Sequence, residues 1–106
     1  MVEQVTLVDF VEAVVAGQAT VIDVRQPHEF ETGHVPGAVL TPLSLIPLHE
    51  DTLRHAPSVY VICESGARSW QAADYLDRKG IAVQSVQGGM SAWRAAGLAV
   101  QRGLPA

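Results

Sequence analysis

The sequence predicts an α/β domain in three layers, with a mainly parallel central sheet flanked by helices. Three observations carry that expectation. Short apolar runs of strand length alternate with segments of helical periodicity along the whole chain. Two of the runs, Thr20-Val21-Ile22-Asp23-Val24 and Val59-Tyr60-Val61-Ile62, are nearly continuous in apolar residues, the pattern of strands buried on both faces. Glycines such as Gly17 and Gly80 stand where the helical patterns stop.

Taken in order, Val2 to Val5 reads as a short edge strand. Thr6 is a candidate N-cap for a helix whose apolar face is Leu7, Phe10, Val11 and Val14, ending at Gly17. The strand Thr20–Val24 follows. Pro27 then opens a short helical turn through Phe30, closed by Gly33. Gly33-His34-Val35-Pro36-Gly37-Ala38 is a turn-rich connector into a short strand, Val39-Leu40. Pro42 to Leu53 is expected to be helical in its middle, with limits blurred by Pro47. Ser58 to Ile62 forms the next strand, and a helical pattern begins at Trp70 and closes at Gly80. Ile81 to Val86 is a strand, Gly88-Gly89 a turn, and a last helix carries Met90, Trp93 and Ala96.

At 106 residues the chain suits one domain, 1–106, with its core over about 2–100 and a short C-terminal tail. With 48% hydrophobic and 17% charged residues it is a compact globular chain. A net charge of -4, with no cluster of Lys or Arg, argues against nucleic acid as a partner. No apolar run is long enough to cross a bilayer, and Met1-Val2-Glu3-Gln4 has no signal-peptide pattern. One cysteine makes no internal disulfide, and a reduced thiol suits the cytoplasm.

That cysteine is the chemical centre of the sequence. Cys63-Glu64-Ser65-Gly66-Ala67-Arg68-Ser69 stands between a buried strand and a helix. Ligands in open parallel sheets bind beyond the carboxyl ends of the strands, where Cys63 falls. Taken alone, a cysteine that ends a core strand is usually inert packing. Here Ser65 and Gly66 favour a tight turn whose successive amides form an anion nest, and the next helix adds its dipole. Lowering a thiol by about two pKa units takes ~2.7 kcal/mol, within reach of a helix terminus plus several aimed amides. Glu64 opposes such ionisation if its carboxylate turns inward, whereas Arg68 favours it. The spacing Cys-x4-Arg makes a ring of six residues. Cysteine-dependent phosphatases use Cys-x5-Arg, whose larger ring fits a tetrahedral phosphate; the tighter ring suits a single sulfur atom on the cysteine. A phosphatase or arsenate reductase is thereby demoted but stays open.

Several motifs in fixed order give a further pointer: Val21-Ile22-Asp23-Val24-Arg25, Glu29-Phe30, Gly33-His34-Val35-Pro36-Gly37-Ala38, Val61-Ile62-Cys63, Ser65-Gly66, Arg68-Ser69, Ala72-Ala73 and Gly88-Gly89-Met90-Ser91-Ala92-Trp93. With them the chain resembles a single-domain rhodanese, a sulfurtransferase of the rhodanese homology family; only the part after about Val100 lies outside the resemblance. The resemblance implies a ping-pong sulfur relay. Cys63 takes a sulfane sulfur from thiosulfate or a persulfide, becomes a persulfide, and yields it to cyanide or a cellular thiol, with no other cofactor. It makes Cys63 catalytic and assigns the binding loop to Glu64, Ser65, Gly66, Ala67, Arg68 and Ser69. A carrier that receives sulfur from a partner protein, without turnover on small molecules, is the second reading.

The remaining candidates weigh less. Arg68 could bind a donor's sulfonate or neutralise the persulfide, against the plainer reading of a solvent-facing arginine. Asp23 and Arg25 are expected to brace the scaffold, with Glu29 paired to Arg25. His34 invites a general-base role but sits in a structural turn. His28, His49 and His55 lack metal-ligand spacing, so no metal is expected. Trp93 reads as core, and Trp70 as either pocket rim or core cap. Glu64, an acid at the loop's mouth, would repel the thiosulfate dianion and so favour donors of low charge.

Overall fold

The computed structural model describes residues 1–105. Elements run β1 (Glu3–Val5), α1 (Leu7–Val15), β2 (Thr20–Asp23), α2 (Pro27–Phe30) and β3 (Val39–Leu40), then a 3-10 segment Leu43–His49 that passes into α3 (Glu50–His55). β4 (Val59–Ile62), α4 (Ala67–Arg78), β5 (Val83–Val86) and α5 (Gly89–Ala95) complete the chain. The five strands form one sheet in the order β1-β5-β4-β2-β3, and every pairing is parallel. The expected α/β class and layered parallel sheet are therefore found, with β1 at an edge as expected. Thr6 caps α1 by accepting the Asp9 N–H at 3.2 Å.

Strand alternation sends side chains to two cores. Ile22, Val59, Val61, Cys63 and Val83 pack with Ile46, Leu53, Ala72, Ala73 and Leu76 beneath the 3-10 segment, α3 and α4. Val5, Val21, Ile62 and Val86 pack with Phe10, Met90 and Trp93 beneath α1 and α5. Both faces of β2 and β4 are thus covered, which is why their sequences read as unbroken apolar runs. Trp93 is core as expected, its indole N–H donating to the Ala99 carbonyl at 3.0 Å. Pro47 does not break the 43–55 stretch; it leaves its first half in the tighter 3-10 form. Beyond Val100 the chain stays attached: His34 and Gln101 exchange backbone hydrogen bonds at 2.9 Å each, and Gly103 N–H reaches the Glu31 carbonyl.

The topology fixes where a site can form. From β2 the chain moves outward to β3, then crosses back to β4 and proceeds the other way to β5. The direction reverses between the neighbours β2 and β4, and the crevice of such a sheet opens beyond the carboxyl ends of that pair. Arg25 follows β2 and Cys63 follows β4 at that point.

Candidate active site

Cys63 continues the alternation of β4 on the α4 face, with Val59 and Val61. The helix that follows starts at Ala67, three residues earlier than the apolar pattern at Trp70 suggests. Gly66 is the reason. It occupies the N-cap with φ +113° and ψ -16°, turning the chain at once, and that backbone rather than any lack of room calls for glycine. The open loop is therefore only Cys63 to Gly66, while Ala67, Arg68 and Ser69 form the first turn of a 12-residue helix. Trp70 points outward and is 45% exposed, so it does not cap the core.

The loop closes around the sulfur. Gly66 N–H donates to Cys63 Sγ at 3.1 Å, and Ser69 Oγ lies 3.5 Å from Sγ. Burial raises the thiol, but the Ser69 hydroxyl first, then the amides of Ser69, Gly66 and Ser65, outweigh it and hold Cys63 below the ordinary cysteine value. Cys63 is fully buried, with 0% exposure.

The back of the loop is fixed by α5. Cys63 and Glu64 carbonyls accept the Met90 and Ser91 N–H groups at 2.9 and 3.0 Å, satisfying donors at the start of that helix. This contact explains the Gly88-Gly89 turn. A Cβ on Gly89 would stand 2.4 Å from the Cys63 carbonyl oxygen and 2.7 Å from that of Glu64.

The charged groups depart from the sequence expectation. Glu29 does not pair with Arg25. Its carboxylate grips Arg68 at 2.7 and 2.8 Å, because the Gln26 N–H fixes Glu29 at the start of α2, pointed across the crevice. Arg68 first, together with that backbone bond and against burial, pulls Glu29 from 4.5 to about 2, and Glu29 in turn raises Arg68. Arg25, 1% exposed, instead forks onto Asp23 at 3.0 and 2.9 Å and onto the Gly33 carbonyl at 2.9 Å. Its remaining nitrogen reaches Glu64 at 3.4 Å. Asp23 and Arg25 therefore tie the end of β2 to the Gly33 turn, as a brace would.

Glu64 is not a bare anion at the mouth. It pairs with Arg94 and accepts the Ser91 hydroxyl at 3.0 Å, and despite burial these contacts keep its carboxyl low. His34 lies away from the sulfur contacts: its ring stacks on Phe30 at 3.5 Å and its Nδ1 meets the Phe30 carbonyl at 2.8 Å. No cluster of metal-ligating side chains occurs among the described residues, and no helix there is long and apolar enough to cross a membrane.

Three neighbours of the loop escaped the sequence reading. Arg94 and Ser91 come from α5 and hold Glu64. Ser85, on β5, is 1% exposed and meets Ser69 Oγ at 2.8 Å. A signal for Ser85 was present: it is a hydroxyl at an inward-facing position of a core strand, two residues after Val83. Arg94 had no local signal, since it reaches Glu64 only through the fold.

A family model described as "Rhodanese-like domain" matches residues 6–96. A protein of Allochromatium vinosum named "Sulfurtransferase" is 38% identical over 80 residues, covering 74% of this chain and 75% of that one. The Bacillus subtilis "Putative sulfur carrier protein YrkF" is 36% identical over 74 residues, 69% of this chain but only 40% of that protein. Among solved structures, a rhodanese-related protein from Thermoplasma volcanium superposes with a TM-score of 0.85 at 28% identity, over 93% of this chain and 97% of that one. The chain belongs to the rhodanese-like family.

Proposed function

We propose that this protein transfers sulfane sulfur through a persulfide on Cys63, held by the loop Glu64 to Ser69. The observation that carries the reading is the cradle itself. A sulfur at the start of α4 receives the Gly66 N–H at 3.1 Å beside the Ser69 hydroxyl, in a ring one residue shorter than a phosphate loop. Family membership and the names of its relatives support sulfur transfer as the class.

In the first half-reaction the Cys63 thiolate attacks the outer sulfur of thiosulfate. The Sγ–S bond forms, the S–S bond of the donor breaks, and its electron pair leaves with sulfite. A persulfide donor reacts alike and releases a thiolate. In the second half-reaction cyanide or a thiolate attacks the outer sulfur of Cys63, forming thiocyanate or a new persulfide and returning the Cys63 thiolate. A base is not needed where the thiol is already ionised, and on this reading the remaining loop amides would bind the terminal sulfur anion.

A second reading, a persulfide carrier loaded and unloaded by partner proteins, draws on the full burial of Cys63 and on the name of YrkF. Intact-mass measurement after exposure to thiosulfate, or to a low-molecular-weight persulfide, tests both readings. A one-sulfur increment absent from Cys63→Ser is expected. No increment with any donor removes both, and hydrolysis of an aryl phosphate would put a phosphatase in their place. Thiocyanate release above the Cys63→Ser background then separates turnover from carriage.

A further inference from the structure

Ser85 is the one polar side chain that β5 sends toward the sulfur. It follows Val83 on the α4 face, and its register partner on β4 is Val61, two residues before Cys63. An apolar side chain would suit this place, since a buried hydroxyl is costly unless bonded. Its hydroxyl partner among the described residues is Ser69 Oγ at 2.8 Å.

Ser69 Oγ therefore has three neighbours: Cys63 Sγ at 3.5 Å, the Gly66 carbonyl at 3.1 Å and Ser85 Oγ. It owns one proton and two lone pairs. When Cys63 is a thiol, the S–H and the Ser85 O–H both seek the Ser69 oxygen, while the Ser69 proton goes to Gly66. When the sulfur is an anion it can only accept. The Ser69 proton then turns to Sγ, and Ser85 is the donor left for the Ser69 oxygen. Such a chain of hydroxyls polarises in one direction, toward the anion.

Nearby charges leave this role to the hydroxyls. Asp23 and Arg25 face the site from the end of β2, Glu29 from α2, Glu64 and Arg68 from the loop and α4, and Arg94 from α5. Each guanidinium is held by a carboxylate: Arg25 by Asp23, Arg68 by Glu29 and Arg94 by Glu64.

We infer that Ser85 is a positioning residue of the sulfur site, holding Ser69 with its O–H turned toward Cys63 Sγ whenever that sulfur is a thiolate. The inference rests on the proposed use of Cys63 as an anion. Its test, however, needs no sulfur donor. The ultraviolet absorbance of the thiolate is followed against pH, with Cys63→Ser as the blank. Ser85→Ala is expected to lower the thiolate-to-thiol ratio at a fixed pH by about two- to five-fold. Ser69→Ala should lower it further, and adding Ser85→Ala to Ser69→Ala should then change nothing. Should Ser85→Ala fold poorly, Ser85→Thr against Ser85→Val compares hydroxyl with methyl at equal volume; Thr keeps the wild-type midpoint and Val loses it. An unmoved midpoint in Ser85→Ala, or an equal shift with Ser69 already removed, overturns the inference. A shifted midpoint in a protein that never gains sulfur would refute the proposed function and leave the relay standing.

Discussion

Replacing Glu29 by Gln removes one charge and keeps nearly all of the shape, so it reads the Glu29–Arg68 pair directly. Gln still offers an oxygen to the Gln26 N–H, which Glu29 accepts at 3.0 Å, so the start of α2 is preserved. The fall of the Glu29 carboxyl from 4.5 to about 2 sets a ceiling of about 3.4 kcal/mol for the charged form. Glu29 and Arg68 side chains are 24% and 33% exposed, and solvent screening brings this down to about 1–2 kcal/mol. The sign follows from a depressed acid. Its stabilisation is complete above the unfolded value and is lost as pH falls toward the folded one. Urea unfolding should therefore find wild type ahead of Glu29→Gln by about 1–2 kcal/mol at neutral pH. That gap should narrow as pH drops from 4.5 toward about 2, and added salt should shrink it too. A gap below about 0.3 kcal/mol at neutral pH, or one that ignores acid, would refute the ion-pair account.

Other substitutions probe the frame around the sulfur. Gly89→Ala forces a Cβ against two backbone oxygens at 2.4 and 2.7 Å, which cannot yield as a flexible side chain would. A loss of about 3 kcal/mol or more is expected in thermal or urea unfolding. Gly17→Ala, with a similar positive φ of +71° but nothing within 4 Å, should cost only about 1–2 kcal/mol. Equal losses at the two glycines would show that the close approach is unimportant. Arg25→Ala strands the buried Asp23 carboxylate and should cost about 3–5 kcal/mol; Arg25→Lys should rescue it only in part, for want of the fork. On the proposed function, Glu29→Gln also frees Arg68, and steady-state kinetics should show a lower KM for thiosulfate with little change for an uncharged persulfide donor.

Local pattern made most of the architecture legible. The unbroken Val21-Ile22 and Val59–Ile62 runs report strands covered on both faces, and α1, over one of those faces, has the caps its sequence advertises at Thr6 and Gly17. The cysteine loop was legible for the same reason, being a turn of consecutive residues. What escaped was its partners. Glu29 and Arg68 are 39 residues apart, Glu64 and Arg94 30 apart, and Ser69 and Ser85 16 apart. Their meeting depends on the reversal of sheet order between β2 and β4 and on the turn at Gly89, which no local pattern encodes. The helix start was misplaced for a local reason: Gly66 caps α4 by its backbone alone, without the side-chain cap that marks a helix start in sequence.

On the proposed function, the same pairings change what would select a donor. Read in sequence, Glu64 is an anion that repels thiosulfate and Arg68 a cation that attracts it. Folded, Glu64 belongs to Arg94 and Arg25, and Arg68 to Glu29. A sulfonate that sought Arg68 would have to compete with a carboxylate bound by both oxygens, giving up about 1–2 kcal/mol, which corresponds to about five- to thirty-fold in affinity. An uncharged persulfide gives up none of it. On the proposed function, a preference for donors of low charge would then rest on the occupation of Arg68 by Glu29 instead of on repulsion by Glu64. The two causes are separable. Neutralising Glu64 would help thiosulfate on the first account, whereas on the second it would loosen Arg94 and Arg25 and leave Arg68 still engaged.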